Sequence, residues 1–273
     1  MADWRGWYER RTDARKDNRM KQSRPTTPHH VIAIDIGNTN TRIGLVDVQR
    51  LACLKRRSVP TAGAVTGVAA IIGRLARPDV PVVVASVVPR VSARLVADLR
   101  TRRTGRVTAL QYHAEMGLRV PYKHPNTLGI DRLADLLYAQ AARPGKDTIV
   151  VDAGTAITID YLRKGRDFVG GVIMPGAALQ LAALNRGTSE LPIVRQQAAR
   201  FPGTSTESCI AAGVDCSIAG GVAEVVAQLR KKFDSRAVVL VTGGAWKAAV
   251  ASGRFPCTHI PDLTLVGTAL GGV

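Results

Sequence analysis

Val31-Ile32-Ala33-Ile34-Asp35-Ile36-Gly37-Asn38-Thr39-Asn40 and, in the second half of the chain, Thr148-Ile149-Val150-Val151-Asp152-Ala153-Gly154-Thr155-Ala156 share one local logic. Each begins as a short apolar run that reads as a buried strand, Val31–Ile36 and Thr148–Asp152. Each then places an aspartate at the strand end and a glycine in a polar turn, Gly37–Asn40 and Ala153–Thr155. Second strands follow at Thr41–Val48 and Ala156–Leu162. One such hairpin would be unremarkable, but two copies, each opening a half, make an internal repeat.

Working outward, the same order of elements recurs. The first half continues with a strand at Leu51–Val59, a helix at Ala62–Ala76 and a strand at Pro81–Ser86. It then predicts a helix at Arg90–Arg102, a strand at Arg106–Leu110 and a helix at Thr127–Ala142. After the Pro-Gly turn of Arg143–Asp147, the second half adds a strand at Asp167–Ile173 and a helix from Pro175, as a first-turn proline, to Arg186. A long helix at Thr206–Lys232, a strand at Ala237–Thr242, a helix at Ala245–Ala251 and a closing strand and helix complete it. Both halves read β-β-β-α-β-α-β-α, the second with one extra helix. The expected class is α/β in two domains, 30–145 and 146–273, behind a basic, partly disordered extension at 1–29.

With 46% apolar residues and only 4% aromatic, Val, Ile, Leu and Ala carry the packing. The longest apolar run, Val80–Pro89, is short of the ~20 residues of a membrane span and carries two prolines. The N-terminus has charges where a secretory core would be, so a soluble cytoplasmic protein with no membrane partner is expected. Cys53, Cys209, Cys216 and Cys257 are scattered, with no C-x-x-C pair and no His at metal-ligand spacing, which argues against a disulfide framework or a zinc site. The net charge of +17 raises nucleic acid as a partner. No stretch interleaves Lys and Arg with stacking aromatics, however, apart from residues 1–28, where eight Lys/Arg are mixed with four acids and Trp4, Trp7 and Tyr8. That pattern reads as a solvated extension and disfavours nucleic acid. A positive field would instead speed the arrival of anionic substrates.

The acidic turns carry the chemistry. An aspartate ending a buried strand is costly unless its charge is compensated. The following glycine admits a bulky anion to backbone N–H groups, and Asn38, Thr39, Asn40 and Thr41 add side-chain donors. A phosphate cradle beside a carboxylate suits a hydrated Mg²⁺ bridging to phosphate oxygens. No Walker loop, G-x-G-x-x-G or protein-kinase signature is present. Val241-Thr242-Gly243-Gly244, at a strand-to-helix junction, is a further candidate for nucleotide contact. Between the turns lies Pro121-Tyr122-Lys123-His124-Pro125-Asn126-Thr127-Leu128-Gly129-Ile130-Asp131-Arg132. Taken alone its Asp-Arg pair is a helix cap; its position suits a second substrate.

In order, these motifs resemble those of the type III pantothenate kinases, members of the acetate and sugar kinase, heat-shock cognate and actin superfamily. They are Asp35–Thr41, the Tyr122-to-Arg132 motif, Asp152–Ala156, Gly170-Gly171-Val172-Ile173-Met174-Pro175-Gly176, Leu191-Pro192, Thr206 seven residues before Gly213, and Thr242-Gly243-Gly244. The likeness runs from Val31 to the C-terminus, and Thr188-Ser189 departs from the expected Thr-Ala.

The resemblance implies an actin-like ATPase fold of two ribonuclease H-like domains with the active site in the cleft. It implies transfer of phosphate from ATP to pantothenate, giving 4′-phosphopantothenate in the first step of coenzyme A biosynthesis. Asp35, Ile36, Gly37, Asn38, Thr39, Asn40, Thr41 and Arg42 would hold the ATP phosphates, with Asp35 organising Mg²⁺ and Thr155 touching ATP. Asp131 would be the general base. Tyr122, Gly129, Ile130, Asp131, Arg132 and Thr206 would bind pantothenate. Asp152 would take a monovalent cation, K⁺ or NH₄⁺, and a homodimer would complete the pocket across its interface. The rival readings are another actin-like kinase or phosphatase, without the Tyr122-to-Arg132 motif, and a non-enzymatic regulatory protein of this fold.

Overall fold

The computed structural model describes residues 29–196 and 200–272. The extension expected at the N-terminus, through residue 28, lies outside the described residues. The first half comprises β1 (His30–Ile36), β2 (Asn40–Asp47), β3 (Ala52–Pro60), α1 (Ala64–Leu75), β4 (Val82–Ser86), α2 (Pro89–Arg102), β5 (Val107–Ala109) and α3 (Ile130–Ala142). The second comprises β6 (Thr148–Ala153), β7 (Ala156–Arg163), β8 (Asp167–Pro175), α4 (Ala177–Gly187), α5 (Thr206–Lys232), β9 (Val238–Thr242), α6 (Trp246–Ala249), β10 (Thr258–His259) and α7 (Leu263–Leu270).

The strands form two five-stranded sheets of identical topology, β3-β2-β1-β4-β5 and β8-β7-β6-β9-β10. In each, the opening three strands are antiparallel and the last two join in parallel. Even the register shift recurs, between Leu45 and Val46 in one sheet and Tyr161 and Leu162 in the other. The internal repeat is therefore structural, and the chain is an α/β protein of the duplicated, actin-like kind.

Side-chain alternation along β1 and β6 divides the molecule into layers. Ile32, Ile34 and Ile36 face outward into a core with Val68, Ile72, Leu95 and Leu99 of α1 and α2. Ile149, Val151 and Ala153 face outward beneath α4, α5 and α6. Val31 and Ala33 on one sheet and Val150 on the other face inward, onto a shared core with Leu133, Leu136 and Leu137 of α3 and Leu265, Val266 and Ala269 of α7. Thus α3 and α7, the last helices of the two halves, lie between the sheets. They approach so closely that a Cβ on Gly267 would overlap the Ala134 backbone. Although α5 is long and apolar enough to cross a membrane, it carries Ile218 and Val222 fully buried in the outer core of the second sheet.

Three boundaries differ from expectation. Pro175 does not open a helix; it ends β8 opposite Ala156. There β8 is an edge strand, so the missing N–H costs no ladder bond. The helix predicted over Thr127–Ala142 begins only at Ile130, because Gly129 is extended as its N-cap and Pro125–Thr127 form a separate 3-10 turn. Finally, α6 is a single turn, Trp246–Ala249, rather than Ala245–Ala251.

Candidate active site

Alternation decides what the two strand ends present. Asp35 lies on the inward face of Val31 and Ala33, and Asp152 on that of Val150. Across the ladders, Arg42 stands opposite Asp35 and Thr158 opposite Asp152. Asp131 occupies the first turn of α3, where the positive end of the helix dipole favours a carboxylate. Its Oδ1 accepts the backbone N–H of Arg132 at 2.8 Å. One cavity of about 200 Å³ brings Asp35, Asp131 and Asp152 together with Gly37, Asn38, Thr39, Asn40, Arg42, Gly154 and Thr155.

The charge balance of this cavity is unusual. Burial pushes Asp35 up to about 6, opposed by Arg42 and aided by the charge of Asp131. Burial likewise pushes Asp152 up to about 7, opposed by Arg42 and aided by Asp35, Asp131 and Asp160. Deeper on α3, burial and the charge of Asp152 hold Asp135 well above the usual carboxylate range, although the Thr264 hydroxyl donates to it at 2.8 Å. Against these acids stands Arg42, whose Nη1 is 3.8 Å from Asp35 Oδ2 and whose side chain is partly exposed.

The site is therefore short of positive charge. Its donors are all oxygens: carboxylates, amides, hydroxyls and turn carbonyls. Among the described residues no three His, Cys, Asp or Glu form a ready-made metal cage. That donor set fits Mg²⁺, which is ordinarily held by one or two carboxylates together with phosphate and water.

The turns are fixed from behind. Gly37 N–H donates to Asn40 C=O at 3.0 Å, and the Thr61 hydroxyl donates to Gly37 C=O at 2.7 Å. In the second turn, Gly154 N–H donates to Ala156 C=O at 3.0 Å. Gly243 has φ +90°, and a Cβ there would stand 2.5 Å from Asp152 Oδ1. The β9–α6 junction thus packs its backbone directly on the end of β6, which only glycine permits. Beside it, Asp215, Gly244, Trp246 and Lys247 line a second cavity of about 610 Å³.

Other residues singled out in the sequence fall elsewhere. Ile36 and Thr41 are fully buried and do not line the cavity; the Thr41 hydroxyl is 3.1 Å from that of Thr61. Their strand positions put them on the outward face with Ile34 and Ile43. Tyr122, Gly129, Ile130 and Arg132 surround the start of α3 without lining the cavity, and Arg132 is buried against Asp160 and Tyr122. Thr206 stands exposed at the first position of α5, apart from the cavity. Sequence reasoning missed Asp135, Thr158, Asp160 and Thr264. The available signal was Asp160 itself, a lone carboxylate in an apolar strand run.

Residues 31–228 match the family model for type III pantothenate kinases. A type III pantothenate kinase of Akkermansia muciniphila is 37% identical over 187 residues, covering 68% of this chain and 75% of that protein. One from Dehalococcoides mccartyi is 30% identical over 245 residues, covering 87% and 93%. Among solved structures, the inorganic polyphosphate/ATP-glucomannokinase of Arthrobacter is similar with a TM-score of 0.50 at 17% identity, over 89% of this chain and 98% of that one. At that identity the likeness is one of fold.

Proposed function

The chain belongs to the type III pantothenate kinase family and phosphorylates pantothenate with ATP in coenzyme A biosynthesis; from this we propose how its own residues divide the work. The observation that carries the assignment is the convergence of Asp35, Asp131 and Asp152 on one cavity bounded by two glycine turns. With the Gly37 and Gly154 N–H groups bonded within the turns, the remaining turn N–H groups and the side chains of Asn38, Thr39 and Thr155 receive the ATP phosphates, with Arg42 countering their charge. The cavity beside Gly244 receives the nucleoside. Asp131 faces the pantothenate hydroxyl. Its Oδ1 is occupied by Arg132 N–H, which leaves Oδ2 to accept the hydroxyl proton as the oxygen bonds to the γ-phosphorus and the bond to ADP breaks. Asp35 would hold Mg²⁺ and Asp152 a monovalent cation, K⁺ or NH₄⁺; bound, they neutralise the nucleotide and the acids around it. The cytoplasm supplies ATP and both ions and is the compartment this chemistry requires.

The test of the assignment is a coupled assay of ADP release from the folded protein with Mg²⁺, K⁺ and ATP. ADP release that depends on pantothenate is the expected result, and its absence would count decisively against it.

The working unit is a homodimer. The second half exposes Ile173 at 62% and Phe201 at 77%, and it also carries an apolar groove between α4 and α5 of about 790 Å³. An apolar surface of this kind is typical of a subunit contact. Thr206 lies at the start of α5, where a neighbouring copy would bring it to the other subunit's pocket. Ile173→Asp is expected to yield monomers in sedimentation and to lower kcat/KM for pantothenate at least about tenfold. A dimer persisting in the variant would remove this face as the interface.

A further inference from the structure

Two features of the inner core have no part in the roles just described: the buried carboxylate of Asp160, and the Gly170-Gly171 pair beside it. Asp160 lies on β7 with its side chain 1% exposed, and Arg132 on α3 is 8% exposed. Arg132 Nε donates to both carboxylate oxygens, at 3.2 and 3.0 Å, and Nη2 donates to Oδ1 at 2.5 Å. The remaining Nη1 donates to the Tyr122 hydroxyl at 3.2 Å. The guanidinium also lies over the Phe168 ring, 5.5 Å from its centroid, and Tyr122 packs on that ring at 5.7 Å. Gly171, paired with Asp160 across β7 and β8, has no space for a side chain. A Cβ there would overlap Asp160 Oδ1 and stand 3.0 Å from Arg132 Nη2.

We infer that Asp160 is a positioning residue for the pantothenate side of the reaction. It holds Arg132 from the second lobe, and through Arg132 it sets the Tyr122 hydroxyl and the first turn of α3 that carries Asp131. Gly171 is glycine because the carboxylate of Asp160 fills the place of its side chain. Arg132 thereby acts as a strut: its Nε and Nη2 are bonded to Asp160 and its Nη1 to Tyr122, and its backbone N–H fixes Asp131 Oδ1. A buried pair of this kind adds little to stability compared with an apolar pair. Its geometric consequence is larger, because small displacements of reacting groups are costly to rate. This inference rests on the assignment of Asp131 and Tyr122 to the pantothenate side.

The experiment is steady-state kinetics on Asp160→Asn, Arg132→Gln and the double variant, with both substrates varied and Asp131→Asn as control. Asp160→Asn should lower kcat/KM for pantothenate on the order of 10²-fold while KM for ATP stays within about threefold. The double variant should match Arg132→Gln alone, because a residue acting only through Arg132 has nothing left to position. Equal losses toward both substrates, or a double variant clearly worse than Arg132→Gln, would overturn the inference. If a single variant does not fold because its partner is left as a buried unpaired charge, Gly171→Ala decides alone. It keeps both charges and displaces the Asp160 carboxylate, so the same loss confined to pantothenate is expected, and equal losses toward both substrates would overturn the inference. An Asp131→Asn control of wild-type activity would instead refute the underlying assignment of the base.

Discussion

Asp131→Asn is expected to lower turnover about 10²–10⁴-fold, roughly 3–5 kcal/mol in the barrier, with the fold preserved. The amide oxygen of asparagine can still accept the Arg132 N–H now bonded to Oδ1, so the first turn of α3 keeps its local bond. What disappears is the oxygen able to take the hydroxyl proton. The variant also loses a negative charge that raises both Asp35 and Asp152. The cation-free protein should therefore unfold at the same temperature as wild type or slightly above it. Loss of rate together with unchanged or improved stability separates a chemical role from a structural one. The checks are single-turnover rates at saturating substrates and thermal unfolding of the same samples. Turnover within a few-fold of wild type would remove Asp131 from the role of base.

The features legible in the sequence were those with local causes. The apolar runs of β1 and β6, each closed by Asp and Gly, announced both strands and the repeat, because strand length, alternation and turn chemistry are short-range properties. Asp35, Asp131 and Asp152 were legible for the same reason. Their meeting in one cavity was implied by the repeat together with the family resemblance. What remained hidden depended on register and on contacts distant in sequence. Nothing local to Asp160 says that Arg132, on another element, lies across from it; that follows only when α3 is laid between the sheets. The packing of α7 against α3 depends on Gly267 meeting the Ala134 backbone, which no periodicity encodes. Pro175 reads as a helix start because a first-turn proline and an edge-strand proline look alike in sequence until the edge is known. Thr206 was legible as a motif member, yet its distance from the cavity within one chain is visible only in three dimensions.

The cation-free protein is expected to lose stability as pH rises from about 4 to 7 and to regain it when Mg²⁺ and K⁺ are added. Asp35 and Asp152 are raised from 3.8 to about 6 and about 7, first of all by burial. At intermediate pH the folded state therefore keeps protons that the unfolded chain has released. Stability from that linkage is fully present below the unfolded value and is lost as pH climbs through the folded ones. For Asp35 the effect is roughly 3 kcal/mol, two units at about 1.4 kcal/mol each. Bound cations replace the protons, so their stabilisation should be greatest near neutrality and should fade as acid reprotonates the carboxylates. Asp152→Asn isolates its share: the difference in unfolding temperature between variant and wild type should widen in the variant's favour as pH rises without cations.

The same variant should blunt activation by K⁺ and NH₄⁺, large singly charged ions of low dehydration cost, whereas Na⁺ and Li⁺ should activate wild type poorly. Asp35→Asn should act on the other ion, lowering kcat/KM for Mg²⁺-ATP by about 10²–10³-fold. Equal rates in K⁺, Na⁺ and a bulky organic cation at matched ionic strength would reduce any salt effect to screening. A cation-free protein whose stability rose between pH 5 and 7 would show that the two carboxylates are already compensated within the chain, and the case for cations at this site would fail with it.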